Sequence, residues 1–218
     1  MDIMKVYTHY LCENDIEYRW RTILQIGDSW EVRGTIFMKN PGSSKKIKSI
    51  EDQCLLEKLR KFDNPKISLS NKWYEFSIDN SMGCVESLFK AYYDAKNMPL
   101  NGIIQVFNLF NIRDANLRKA LDRLKGNVIE DFAYTTTYDI SHIDNPVYIG
   151  WGNLWKNRVL NNNAEAIFNA VKQKTSYLSD VIQNNKFYHP QYLMAYGKNR
   201  EKCKEDLNSF VHTRTKPL

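Results

Sequence analysis

The chain has 218 residues, of which 43% are hydrophobic and 13% aromatic, and a formal net charge of +6 at pH 7. That is enough apolar material for a full core, which excludes a wholly disordered chain. The length predicts a single domain over 1–218, or one domain with long terminal additions, and the mixed-charge run over 196–218 predicts a C-terminal helix or tail. The mildly basic balance admits an anionic partner such as DNA or a nucleotide without requiring one.

The four cysteines, Cys12, Cys54, Cys84 and Cys203, lie far apart and form no CxxC pair. That spacing argues against a zinc knuckle and against a small disulfide scaffold. No apolar run approaches the roughly 20 residues that a membrane helix needs. Acids interrupt the first twenty residues, so no signal-peptide pattern appears. The expectation is a cytoplasmic protein with no membrane contact.

In chain order, "EYRWRTILQIGDSWEVRGTIFM" alternates on either side of "GDS" and predicts a β-hairpin with strands near 18–26 and 30–38. "SIEDQCLLEKLRKF" places Ile50, Leu55, Leu59 and Phe62 at helical spacing, with Ser49 as the N-cap and Asp52 three positions on. "KISLSNKWYEFSIDNS" reads as a loop around a short apolar core, and "MGCVESLFKAYYDAKN" as an amphipathic helix. "NGIIQVFNLF" suits a buried parallel strand, and "RDANLRKALDRLKG" a helix stopped by Gly126. "NPVYIGWGN" predicts another short buried strand and "NAEAIFNAVKQKT" another helix. "SYLSDVIQNNKFYHP" predicts a last strand-like segment before His-Pro. Alternating strand and helix signals predict an α/β fold with a largely parallel sheet.

Each predicted buried strand ends in a polar or glycine-containing cluster: "KNPGSS", "NLFNIRD", "GWGN" and "YHP". In an open parallel sheet, ligands bind outside the carboxyl ends of the strands, so the four clusters are expected to converge on one site. Asn40 offers an amide that can hold a water or a ligand edge, or brace its own Asx-turn. Gly42, after Pro41, lets a ligand approach the backbone, and the amides of Ser43 and Ser44 can meet an anion. Asn108 ends a very apolar strand, where its amide needs a partner from a loop or a ligand. His189 can donate a hydrogen bond to developing negative charge or serve a His-Pro turn. Trp151, beside Gly152, and Phe76 can stack on a base or fill the core. Lys45 and Lys46 can contact phosphates or simply face solvent.

Several chemistries have no motif here: no GxxxxGK[ST], GxGxxG, HExxH or GxSxG occurs. Asp114, Asp139, Asp144 and Asp180 lack a two-metal spacing. The expected site is therefore built from Asn, His and backbone amides, with no metal and no cofactor.

The motifs Tyr18-Arg19, "KNPGS", "FNLFNIR", "GWGN" and "HPQYL", in that order over about 17–195, resemble the bacterial and phage family designated "domain of unknown function 1643". That family brings no activity with it. A more distant resemblance is to the uracil-DNA glycosylase superfamily, closest to its mismatch-specific branch. "KNPG" looks like its water-activating loop, "VFNLFNIR" like its base-reading strand end, "YIGWGNLWKN" like its "LWG" segment and "HPQYL" like its "HPS" loop.

The resemblance implies a three-layer α/β/α sandwich with a mainly parallel central sheet, preceded by an N-terminal hairpin. It implies that Asn40 positions the hydrolytic water, Asn108 reads the base, His189 stabilises the leaving base anion and Phe76 stacks on the base. Gln191 stands where that superfamily has a phosphate-gripping serine, so the chain departs from the pattern there. The function expected is binding of a nucleobase or nucleotide, with metal-free hydrolysis of an N-glycosidic bond in nucleic acid. The alternatives are a non-catalytic nucleic-acid or nucleotide binding module, and an enzyme acting on a small nucleoside-like substrate.

Overall fold

A computed structural model describes residues 4–63, 72–144, 146–152, 154, 157–174, 177–178 and 189–193. The chain opens with β1 (Lys5–Glu13) and β2 (Ile16–Ile26). These pair antiparallel around Asn14 and Asp15, which take φ values of 51° and 59°. Positive φ at both central residues is what a tight hairpin turn demands, and Asn and Asp tolerate it best after glycine.

There follow β3 (Val32–Met38), β4 (Lys46–Ser49), α1 (Gln53–Leu59), β5 (Trp73–Phe76), α2 (Asn80–Asp94) and β6 (Gly102–Asn108). The remainder is α3 (Leu117–Arg123), α4 (Glu130–Ala133), α5 (Thr137–Ser141), β7 (Val147–Ile149), α6 (Arg158–Lys174), β8 (Tyr177–Leu178) and α7 (Pro190–Leu193). The strands form one eight-stranded sheet in the order β4-β5-β1-β2-β6-β3-β7-β8.

The sheet is mixed, which corrects the expectation of a mainly parallel one. β4, β5, β1 and β2 run antiparallel to their neighbours, and β2 also meets β6 antiparallel. Only β6, β3, β7 and β8 are mutually parallel. The hairpin expected near 18–26 and 30–38 does not pair with itself, because β6 lies between its two strands.

The linking residues explain this. The connection over 27–31 arches across the start of β6, with the Asp28 and Ser29 amides donating to Asn101 Oδ1 at 3.2 and 2.9 Å and the Ile103 amide to Glu31 O at 2.8 Å. Strand alternation identified the two strands but carries no information about what lies between them. The expected loop around Trp73–Phe76 contains β5, which pairs with β1 and β4. Helix α1 is capped by Asp52, whose carboxylate accepts from the Leu55 amide at 3.1 Å. Ser49 is not the cap; it ends β4, paired with Tyr74. The expected tail over 196–218 lies outside the described residues.

Alternation along each strand sends neighbouring side chains to opposite faces. Leu24, Ile36, Met38 and Ile104 pack with Val85, Leu88 and Phe89 of α2. On the opposite face Phe37, Phe107, Val147 and Ile149 pack with Ala120 of α3 and with Leu160, Ala164 and Ile167 of α6. Tyr7, Ile23 and Ile103 meet Leu56 and Leu59 of α1. No helix among the described residues is long and apolar enough to cross a membrane.

His9 is buried between two indoles, stacked on Trp20 at 5.3 Å and tilted against Trp73 at 4.0 Å. Its Nε2 meets Asp63 Oδ1 at 3.0 Å, and its Nδ1 has no partner among the described residues. Burial pushes its pKa down despite Asp63 and Asp139, and Arg21 adds to the depression. The folded state therefore resists a proton that the unfolded chain accepts below about pH 6.5, so stability falls as pH drops through that value. A fall of up to about 1.4 kcal/mol per pH unit is the limit for one such group. Urea unfolding of wild type and His9→Gln at about pH 7 and about pH 5.5 checks this. The wild type loses stability over that interval, and His9→Gln loses measurably less.

Candidate functional site

The sheet itself brings the polar clusters together. Met38, the last residue of β3, is in register with Asn108, the last of β6, and Phe37 is in register with Ile149 of β7. Beyond the strands the ladder continues, with the Leu109 amide donating to Met38 O at 2.9 Å and the Gly150 amide to Phe37 O at 2.8 Å. Asn40-Pro41-Gly42, Asn108 and Gly150-Trp151 thus leave the carboxyl ends of three adjacent parallel strands. The chain leaving β3 leads to β6 on one side and the chain leaving β7 leads to β8 on the other, so the direction of connection reverses between β3 and β7. That is the topological switch point where open α/β sheets bind ligands.

The Asn-Pro-Gly loop bends at Asn40, and Gly42 takes φ 70°, in the left-handed region that glycine adopts without strain. Two arginines hold it from below. Arg19 is 4% exposed, and its Nη2 donates to Pro41 O. Arg113 donates from Nε to Ser44 O at 2.7 Å and from Nη2 to Ser43 O at 3.2 Å, and it pairs with Glu17. Burial draws the Arg19 pKa down to about 10, opposed by nearby Asp79 and reinforced by Arg113. Arg19 also lies over the Phe76 ring at 5.5 Å.

Asn40 is half-buried and Asn108 is 2% exposed. Neither side-chain amide has a hydrogen-bond partner among the described residues. The Asn108 carbonyl accepts from the Thr135 hydroxyl, and the Asn111 amide donates to Ala133 O at 2.7 Å. These bonds bind the segment over 133–136 to the end of β6. That segment is anchored in turn by Asp139, which accepts from the Thr136 amide and hydroxyl at 2.9 and 2.8 Å and forms a buried ion pair with Arg21. Arg21 sits at the β1–β2 bulge with φ 44°, an uncommon backbone for a residue with a side chain.

His189 precedes α7, which packs on α2. Pro190 Cδ lies 3.0 Å from where a Cβ would stand on Gly150, so the His-Pro step sits over the end of β7. The Gln191 amide donates to His189 Nδ1 at 3.2 Å, which places the proton of the neutral ring on Nε2. Burial first, then Lys39, push its pKa down to about 4, with Asp79 opposing. Burial also lowers the Lys39 pKa. The imidazole is therefore a neutral donor at physiological pH.

Other expected residues are placed elsewhere. Trp151 is 2% exposed in the core with Phe37 and Ile149. Phe76 is buried in β5 beneath Arg19. Ser43 and Gly152 flank the loop and the β7 end, exposed and half-buried respectively. The Ser44 hydroxyl donates to Ser77 O inside the fold. Lys46 lies over the rings of Tyr10 at 4.9 Å and Tyr74 at 5.0 Å, and Lys45 is exposed. Among the described residues no three His, Cys, Asp or Glu side chains form a group that could hold a metal ion.

Sequence reasoning passed over Arg19, Arg21, Lys39, Asp79 and Arg113 as site-forming groups. The signal for two of them was present: arginines in the apolar run "YRWRTIL" had to find partners if that strand was buried. No protein-family model matches the chain, and neither a curated protein nor a solved structure does.

The Arg21–Asp139 pair gives a direct test of what supports the Asn108 strand end. Arg21→Met leaves a buried carboxylate without its cation and is expected to cost about 3–5 kcal/mol in urea unfolding. Combining it with Asp139→Asn, which keeps the capping bonds of α5, is expected to recover a large part of that loss. Simple addition of the two single costs would contradict the pairing.

Proposed function

We propose that this chain is a glycosylase-like domain that binds a nucleobase or nucleotide at the carboxyl ends of β3, β6 and β7 and hydrolyses the N-glycosidic bond. One observation carries the reading: the asparagine amides of Asn40 and Asn108, at the carboxyl ends of neighbouring parallel strands, have no partner among the described residues, and His189 precedes the proline that lies against the end of the next strand, β7. A base presents donors and acceptors along one edge, which a side-chain amide such as that of Asn108 can match. Asn40, on the loop braced by Arg19, holds the attacking water. Bond cleavage leaves negative charge on the base, and His189 Nε2–H is a donor aimed at such charge without requiring a proton from solvent.

Base flipping into the crevice is the recognition step if the substrate is nucleic acid. The resemblance of "KNPG", "FNLFNIR" and "HPQYL" to the uracil-DNA glycosylase superfamily supports the same assignment of roles. A specific observation favours a second reading, an enzyme on a small nucleoside-like substrate. Of the expected phosphate contacts, Lys46 lies over two tyrosines and the Ser44 hydroxyl is bonded internally, which leaves one exposed lysine, Lys45, beside the amides of Ser43 and Ser44.

The test is a base-release assay on single- and double-stranded oligonucleotides containing uracil, hypoxanthine or a mismatch, with free nucleosides run alongside. Wild type is expected to release base, and Asn40→Ala to lower the rate by about 10²–10³, the usual cost of removing one preorganised polar group at a reacting centre. Release from nucleosides alone selects the second reading. No release from any substrate removes the catalytic function.

A further inference from the structure

Asp79 brings a carboxylate to this crevice, and the fold does not need it to be one. As N-cap of α2 it accepts from the Met82 amide through Oδ1 at 3.0 Å. Ser, Thr or Asn fills that role equally well. The second oxygen, Oδ2, has no hydrogen-bond partner among the described residues and lies 3.3 Å from where a Cβ would stand on Gly42.

That placement is built rather than incidental. The residues ahead of Asp79 are fastened to the far side of the loop: the Ser77 amide donates to Lys45 O at 2.8 Å, and the Lys45 amide to Ser77 Oγ at 2.9 Å. The Ser44 hydroxyl donates to Ser77 O. Arg19 and His189 both feel the Asp79 charge, so the carboxylate lies within electrostatic reach of each. Glycine at position 42 leaves its oxygen close to the turn that carries Asn40.

We propose that Asp79 is the general base of the crevice, taking a proton from the water that Asn40 holds. The inference rests on the glycosylase-like reading. In the step it describes, the water oxygen forms a bond to the anomeric carbon of the sugar while the bond from that carbon to the base nitrogen breaks. The electron pair of the broken bond leaves with the base, which accepts the His189 hydrogen bond. The water proton passes to Asp79 and from there to the departing base, so the products are the free base and the 1-hydroxy sugar, with nothing oxidised or reduced. The carboxylate also opposes the positive charge that develops on the sugar ring, as the paired carboxylates of glycoside hydrolases do.

Asp79→Asn separates the two roles of the residue, because it keeps a capping acceptor and removes the base; Asp79→Ser is a second variant with the same logic. Both are expected to fold, with wild-type circular dichroism. In the base-release assay both are expected to lose about 10²–10⁴-fold in kcat. They also lose the acid limb of the pH–rate profile, which a purely structural cap would not set. Turnover by wild type that Asp79→Asn retains overturns the proposal and leaves the glycosylase-like reading standing. No turnover by wild type removes both. A readout independent of activity is the His189 titration followed by NMR. Its pKa is expected to fall further in Asp79→Asn, because the opposing carboxylate is gone, and an unchanged value overturns the facing of the two groups.

Discussion

β6 is hydrogen-bonded to antiparallel β2 along one edge and to parallel β3 along the other, and this double pairing sets Asn108 level with the end of β3, from which the Asn40 loop leaves. Its side chains are buried on both faces, Ile103 and Phe107 against one set of helices and Ile104 against the other. A strand that apolar on both sides is stable only in the middle of a sheet. With β6 in that slot, the direction of chain connection reverses between β3 and β7. Asn108 is then brought level with Met38, two residues before Asn40. The antiparallel half of the sheet is not a mere addition, since β2 supplies Arg19 beneath the loop and Glu17, the ion-pair partner of the second loop-bracing arginine, Arg113.

Those arginines set the shape of the loop. Carbonyl oxygens of Pro41, Ser43 and Ser44 all accept from Arg19 or Arg113. In a trans peptide the N–H that follows a carbonyl points the opposite way. The Gly42 amide is therefore turned away from Arg19, and the Ser44 amide away from Arg113. A buried guanidinium is costly unless its donors are used, and Arg19 leaves Nε and Nη1 without partners. The Phe76 ring and the Asp79 charge offset part of that cost. Such an expense beneath a surface loop is characteristic of sites where geometry is held for function.

Much of this is legible in the sequence alone. Strand alternation marked β2 and β3, the continuous apolar run marked β6, and helical spacing marked α2 and α6. The clusters at Asn40, Asn108 and Gly150 lie together because parallel strands place their carboxyl ends on one side. The partner of each strand was not legible. A run such as "GDSWE" looks the same whether its flanking strands touch or admit a third between them. Phe76 and Trp151 illustrate a second limit, since an aromatic side chain beside a site motif packs into the core with the same residue signature as one that faces a ligand. Asp79 illustrates a third. A capping aspartate is common at helix starts, and only the fold shows its free oxygen beside Gly42.

The central claim is that Asn40, Asn108 and His189 face one base-sized crevice. NMR titration of the isotope-labelled protein with free uracil and free hypoxanthine tests it without requiring turnover. The account predicts that the side-chain amides of Asn40 and Asn108 and the imidazole of His189 shift together, along one saturating curve with a single Kd. Shifts at only one of the three, or each with its own concentration dependence, would contradict it.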